Sequence, residues 1–464
     1  MLVRFNLKNF RSFNEKINLE TEQFQTQELS MLAGATRGKK EHLISVNGQE
    51  ILKFSAIFGA NAAGKSNIVK ALKFIQYTVK HGHLPAGASE EYCKTHADNI
   101  NKPSYFELEM VINNQNYSYG FEYILNTGKL VSEWLILLKN DKEITLFEKN
   151  ETSKNYVFGG IIKKYDFFKV YADGLDGSNS LFLTTMNKNT VGLYKKYPDI
   201  QIIQDVFYWI THNLSINYPD NPIQTDVACL LNEKDFSLFS DLLNSFGTGI
   251  KQLKKDPVDA QKFIEQLPDE LKNGILKAMD FVNHQDNQNA IMGAIIQKKD
   301  TDEIFVLKIS PNSNMEVNTI LFEHQFYDQS VKFKLVNESD GTKRLFDLIQ
   351  LLLDKDNKTY IIDELDRRLH PCLTYQFVKT YFALCKQKNV QLIVTTHESR
   401  LLDFDLLRRD EIWFIDKNTF GESDLYSLEE YNERFDRKID KAYLEGRYKG
   451  VPIFTTIYPV EEDE

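Results

Sequence analysis

Through the first residues Leu2, Arg4, Asn6 and Lys8 interleave with Val3, Phe5, Leu7 and Asn9, and this period of two predicts strand over 1–20. Residues 51–58 (ILKFSAIF) form a short apolar run that stops at Gly59, as a buried strand does. From 67 to 80 the apolar residues Ile68, Val69, Leu72, Phe74 and Ile75 take helical spacing. The polar, turn-rich stretch 81–103 reads as loop. Between 105 and 158, YFELEMVI, YSYGFEYIL, VSEWLILL and ITLFEK are punctuated by NNQN, NTG and KND, which predicts a hairpin meander. From 197 to 290 the spacing turns helical, as in DVFYWITHNL and KFIEQLPDELKNGILKAMDFV. Two β-like patches follow at 303–310 and 331–336. The remainder alternates: helix RLFDLIQLLL, strand YIID, helix CLTYQFVKTYFALC, strands QLIVTT and EIWFID. Such alternation argues for a parallel sheet in an α/β fold.

The chemistry sits at the ends of these strands. Gly59, Ala60, Asn61, Ala62, Ala63, Gly64, Lys65 and Ser66 match G-x-x-x-x-G-K-S, with a β-run before and a helix after. Glycines let backbone N–H groups wrap phosphates, and the helix N-terminus adds positive potential. Lys65 is placed to reach the β- and γ-phosphates of ATP, and the Ser66 hydroxyl to ligate Mg2+. A second apolar strand ends in Asp363 and Glu364. A magnesium–nucleotide site needs one acid at the metal and one group that activates water, so Asp363 is expected at the metal and Glu364 as general base. A third strand, QLIVTT, ends at His397, which is placed to contact the γ-phosphate or order the water. Taken alone, either of the last two is equally the solvated end of a strand.

In order along the chain, GANAAGKS, ESDGTKRLF (338–346), YIIDE (360–364) and TTH (395–397), with the opening FNLKNFRSF, resemble the ABC-type ATPases, specifically the heads of SMC and related DNA-repair proteins. The resemblance implies an α/β P-loop head with a mixed or parallel sheet, an N-terminal antiparallel β layer, and a β-meander plus helical insertion. Residues 1–80 and 291–464 would then be the two halves of the ATPase domain, 81–196 a β-rich insertion and 197–290 a helical one. It implies nucleotide contacts from Gly59, Asn61, Ala62, Ala63, Gly64, Lys65, Ser66, Asn67 and Arg11. It also implies a homodimer or higher oligomer, in which Ser339, Gly341 and Thr342 of one copy reach ATP held by another across a loop at 367–370. Ser339 or Asp340 would serve equally as an ordinary helix N-cap. More narrowly, ESDGTKRLF, DELDRRLHP and AYLEGRYKGVP resemble stand-alone AAA-annotated ATPases of phage-defence and abortive-infection systems such as PARIS, Septu and the OLD family. That implies a separately encoded effector, a nuclease, gated by ATP-driven closure. A DNA-repair head acting on DNA ends and a slow nucleotide-binding scaffold are the alternatives. The signature reads SDGT where transporters have LSGGQ, and no glutamine takes the Q-loop place.

Composition narrows the partners. The chain has 464 residues, enough for roughly three structural units. Its 42% apolar and 26% charged residues are ordinary for a globular protein. No apolar run reaches the ~18–20 residues of a bilayer span, so no membrane partner is expected. Four cysteines suit a reducing, cytoplasmic setting. A net charge of −10 disfavours an overall basic surface but leaves room for a local nucleic-acid patch. One candidate is the helical stripe Arg434, Arg437, Lys438 and Lys441, equally read as a solvated face, with Tyr443 and Tyr448 nearby as possible base-stacking rings. His81, His83, Cys93 and His96 lack the spacing of a zinc site. Too few residues follow His397 for a Toprim nuclease domain, and Asp403-Phe404-Asp405 reads as a surface turn.

Overall fold

In the computed structural model, the described residues are 1–17, 24–36, 38–139, 142–150, 155–188, 192–219, 228–284, 292–298, 303–311, 314–354, 357–431 and 439–451. The chain divides into two units. The first comprises Met1–Asn221, Asp356–Asp366 and Cys385–Glu464, and the second Pro222–Lys355 and Arg367–Leu384.

The first unit is built on a six-stranded sheet. Its order is Leu214–Asn217, Thr359–Ile362, Gln391–Thr395, Phe54–Gly59, Ile412–Lys417 and Ser423–Ser427. The first five strands run parallel and the last is antiparallel. Parallel strands are covered on both faces, so they read as unbroken apolar runs. Phe54, Ala56, Phe58, Tyr360, Ile361, Ile362, Leu392, Ile393 and Val394 are accordingly all buried. The helix Lys65–His81 leaves the end of the Phe54–Gly59 strand and buries Ile68, Val69, Leu72, Ile75 and Val79. It stops at Gly82, whose positive φ closes the last turn with an N–H to Thr78 O.

A seven-stranded antiparallel sheet forms the second layer of this unit. Its order is Val157–Phe158, Lys142–Lys149, Lys129–Lys139, Gln115–Ile124, Ser104–Ile112, Leu2–Lys8 and Gln27–Ser30. The meander therefore shares one sheet with the N-terminal strand. Phe10, Phe74 and Phe106 meet with ring centroids 5.1–5.3 Å apart and join this sheet to the helix. The buried carboxylate of Glu133 accepts from Tyr119 Oη, Tyr156 Oη and the N–H groups of Phe182 and Leu183, and so caps the helix Phe182–Lys188.

The second unit holds a five-stranded antiparallel sheet from Ile250–Val258, Met292–Gln297, Ile304–Ser310, Asn314–Phe326 and Gln329–Phe333. Phe263, Ile275 and Val282 of the adjoining helices pack on Phe305, Leu307 and Val317. On the helix Asp340–Leu353, Phe346 contacts Phe239 and Phe322 at 4.9 and 5.5 Å.

The mixed α/β class expected from the sequence is the observed one, with a parallel sheet beside an antiparallel layer. Individual elements differ. The run at 51–58 is two strands, Gln49–Leu52 in a hairpin and Phe54–Gly59 in the parallel sheet. The stretch 197–290 contains strands Leu214–Asn217 and Ile250–Val258 as well as helices. Neither announces itself: the first is four residues long, and the second is a polar edge strand carrying Pro257.

Candidate nucleotide-binding site

At its carboxyl end the Phe54–Gly59 strand runs into the loop Gly59–Ser66, the usual ligand position in an open α/β sheet. Ala62 has φ +62 and Gly64 φ +122. The latter admits glycine alone, since a Cβ there would also meet Ser423 Oγ at 2.3 Å. Asn61 and Ala62 are exposed at the loop's crest, while Ala63 and Gly64 are buried at its base. The Lys65 ammonium is held by Gly59 O at 2.7 Å and Ala60 O at 3.0 Å. Burial pulls its pKa down to about 8, against the opposing pull of Asp363, Asp366 and Glu364. Ser66 and Asn67 open the helix, half-buried, and the Asn67 amide donates to Ser12 Oγ at 2.8 Å.

The acidic strand Thr359–Ile362 lies two places from the loop strand, with Gln391–Thr395 between them. The intervening strand organises the acids. Thr395 Oγ1 donates to Asp363 Oδ1 at 2.6 Å and accepts the Glu364 N–H at 2.8 Å. Glu364 sits at φ +51, a strained backbone for a non-glycine residue. The next residue is pinned too, its N–H reaching Thr395 O at 2.9 Å. Asp366 Oδ1 then accepts Thr396 Oγ1 at 2.6 Å and the His397 N–H at 3.1 Å. His397 itself is exposed at the strand end. Its imidazole titrates below the ordinary histidine value, first because nearby atoms displace its water and next because Lys65 repels a second cation. Loop, acids and histidine thus stand at the carboxyl ends of three adjacent strands of one sheet.

Arg11 belongs to the same unit. Its φ is +51, and its guanidinium pairs with Glu91, with Nη2 to Oε1 at 2.7 Å. Ser339, Gly341 and Thr342 lie in the second unit. Ser339 is the N-cap of the helix Asp340–Leu353, its Oγ accepting the Thr342 N–H at 3.1 Å. A Cβ on Gly341 would stand 3.0 Å from Arg368 O, and Arg368 Nε lies 4.0 Å from Asp340 Oδ2. The capping role is therefore filled, and the close pass of the 367–370 loop crowds any side chain at Gly341.

Sequence reading passed over Ser12, Ser423 and the organising contacts of Thr395. Ser12 is far from the loop in sequence and Ser423 farther still, so only the fold brings them there. Tyr443 and Tyr448 are buried against Phe414, both at 5.5 Å, and are core rings with no face free for stacking on bases. Of the basic stripe, Arg434, Arg437 and Lys438 lie outside the described residues. Among the described residues no helix is long and apolar enough to cross a membrane.

The family model described as "AAA domain, putative AbiEii toxin, Type IV TA system" matches residues 54–403. No curated protein matches the chain. Among solved structures it is similar to an SmcHead bound to the C-winged helix domain of ScpA, at 12% identity over 92% of this chain and 97% of that one, TM-score 0.39. It is also similar to the SMC head domain from Thermotoga maritima, at 14% identity over 92% and 98%, TM-score 0.34. A third likeness is to the Smc head domain with an extended coiled coil bound to the C-terminal domain of ScpA derived from Pyrococcus furiosus, at 14% over 97% and 99%, TM-score 0.34. These structural likenesses are loose, and membership rests on the family match.

Proposed function

The chain belongs to the AAA-domain family whose pattern runs through residues 54–403, and from that premise we propose that it is an ABC-type ATPase working as a nucleotide-driven switch. The observation that carries the reading is that the Lys65 loop and the acids Asp363, Glu364 and Asp366 follow the carboxyl ends of strands of one parallel sheet. A glycine loop with a buried lysine binds phosphates, and the two adjacent acids divide the remaining tasks.

The loop from Gly59 to Lys65 would cradle the phosphates of ATP through its N–H groups and the Lys65 ammonium, with Asn67 and Arg11 on its flanks. Ser66 and Asp363 are hard oxygen donors and fit magnesium. The bound ion would supply charge neutralisation on the phosphates. Glu364 would take the proton of the attacking water. Its fixed backbone sets where the side chain leaves the chain. His397, held mostly neutral at pH 7, can donate a hydrogen bond toward the γ-phosphate without adding a second positive charge beside Lys65.

We assign Ser339, Gly341 and Thr342 to the ATP of a second copy, where a helix N-terminus clamps the γ-phosphate. Closure of two copies would gate a separately encoded effector, a nuclease, in antiviral defence. The family description, with its "putative AbiEii toxin, Type IV TA system", supports a setting in such a system and names no nuclease and no virus. The Glu364→Gln variant tests the reading. It should lose turnover by at least about a hundredfold and accumulate ATP-bound dimers in sedimentation. Turnover and self-association unchanged from the wild type would overturn the role of Glu364, and negligible turnover in both proteins would leave a nucleotide-binding scaffold.

A further inference from the structure

We infer that Ser12 and Ser423 are positioning residues of the phosphate loop, joined in a one-way hydrogen-bond chain that aims the Gly64 N–H at the bound phosphate. The inference rests on the ATPase reading and goes beyond it by naming residues outside every motif.

The chain has three links. Asn67 Nδ2 lies 2.8 Å from Ser12 Oγ, Ser12 Oγ lies 2.7 Å from Ser423 Oγ, and Ser423 Oγ lies 2.5 Å from Ala63 O. The backbone ties the same two serines, with the Ser423 N–H reaching Ser12 O at 2.7 Å. The polarity follows from the ends. Asn67 Nδ2, the atom that faces Ser12, can only donate and the Ala63 carbonyl can only accept. Each hydroxyl has a single proton, so Ser423 gives its proton to Ala63 O and Ser12 gives its own to Ser423. Both serines are buried, at 8% and 1% exposure, so water does not compete.

The consequence for the loop is geometric. In a trans peptide the carbonyl of one residue and the N–H of the next point in opposite directions, and no cis peptide is present among the described residues. Ser423 holds the Ala63 carbonyl, so the Gly64 N–H points the opposite way, away from Ser423. That amide precedes Lys65 and opens the helix whose N-terminus faces the ligand. Ser12 comes from the chain's beginning and Ser423 from near its end, so the loop is held from both sides. Asn67, the far end of the chain, sits one turn into the same helix.

The test uses the full-length protein and measures affinity for ATP and for tripolyphosphate, together with thermal unfolding without ligand. Tripolyphosphate isolates the phosphate contacts from the base and sugar. Ser423→Ala should weaken both ligands about tenfold, the value of one lost buried hydrogen bond. Ser12→Ala should weaken them similarly. The double variant should be no worse than either single variant, because a chain broken once is already broken. Ser12→Ala also serves if Ser423→Ala does not fold. Lys65→Ala is the control. If it loses tripolyphosphate while the serine variants bind like wild type, the positioning role is wrong and the phosphate site stands. If Lys65→Ala also binds normally, the phosphate site fails and the inference falls with it. Additive losses in the double variant would overturn the single chain as well.

Discussion

Thr395→Val puts the organisation of the acidic strand end to the sharpest test. Valine keeps the shape of the buried side chain and removes only the hydroxyl. That hydroxyl gives its proton to Asp363 and receives the Glu364 N–H, at 2.6 and 2.8 Å. The first is a hydrogen bond to a carboxylate, worth about 1.5–3 kcal/mol. The second leaves a part-buried N–H without its acceptor, costing a further ~1 kcal/mol or more. Against these stands the strain of Glu364 at φ +51, also ~1–3 kcal/mol, which the native contacts hold in place. Removing the hydroxyl therefore takes away more than the strain it restrains, and Glu364 relaxes out of its left-handed conformation. Turnover should fall about a hundredfold, the lower end of what a misplaced general base loses. ATP affinity should change by less than about threefold, because Lys65 and the glycine loop are untouched. Steady-state hydrolysis with equilibrium titration of ATP separates the two effects. A folded Thr395→Val protein with wild-type turnover would refute the claim that the middle strand aims the general base.

Other consequences concern charge, closure and the core. Lys65 releases its proton near pH 8 in the folded protein and near its ordinary 10.5 in the unfolded chain, so its contribution to stability grows between those values. ATP affinity at constant ionic strength should move oppositely, declining above pH 8 as the ammonium is lost, by at most about a decade per pH unit; titration of Lys65→Arg, whose side chain stays charged, should lack that decline. Ser339→Arg should abolish ATP-dependent self-association in sedimentation and leave ATP binding by the single copy within about twofold. Glu133→Ala strips four buried donors of their acceptor and should cost on the order of 3–5 kcal/mol in urea unfolding, far from any nucleotide contact.

The strand ends that carry the candidate residues were legible along the chain because their neighbours are local. The glycine loop needs its preceding strand and following helix, and all three are contiguous in residues 54–81. Asp363 and Glu364 follow directly on an apolar strand, and His397 on another, so period and terminal residue together marked each strand end. The parallel sheet was legible for the same reason, since strands buried on both faces lose their polar alternation.

What the chain order could not reveal is which strand lies between which, and that decided the site. Thr395 controls Asp363 and Glu364 because Gln391–Thr395 pairs with the acidic strand on one side and the loop strand on the other. Buried Gln391 ties the same strand to the chain's first residues, accepting the Leu2 N–H at 2.6 Å and donating to Leu52 O at 3.0 Å. A glutamine or serine reads as surface in sequence, since a polar side chain is buried only where partners meet it. Those partners come from opposite ends of the chain. Local sequence determined the strand ends and the groups they carry, and tertiary pairing alone determined which polar groups hold them in place.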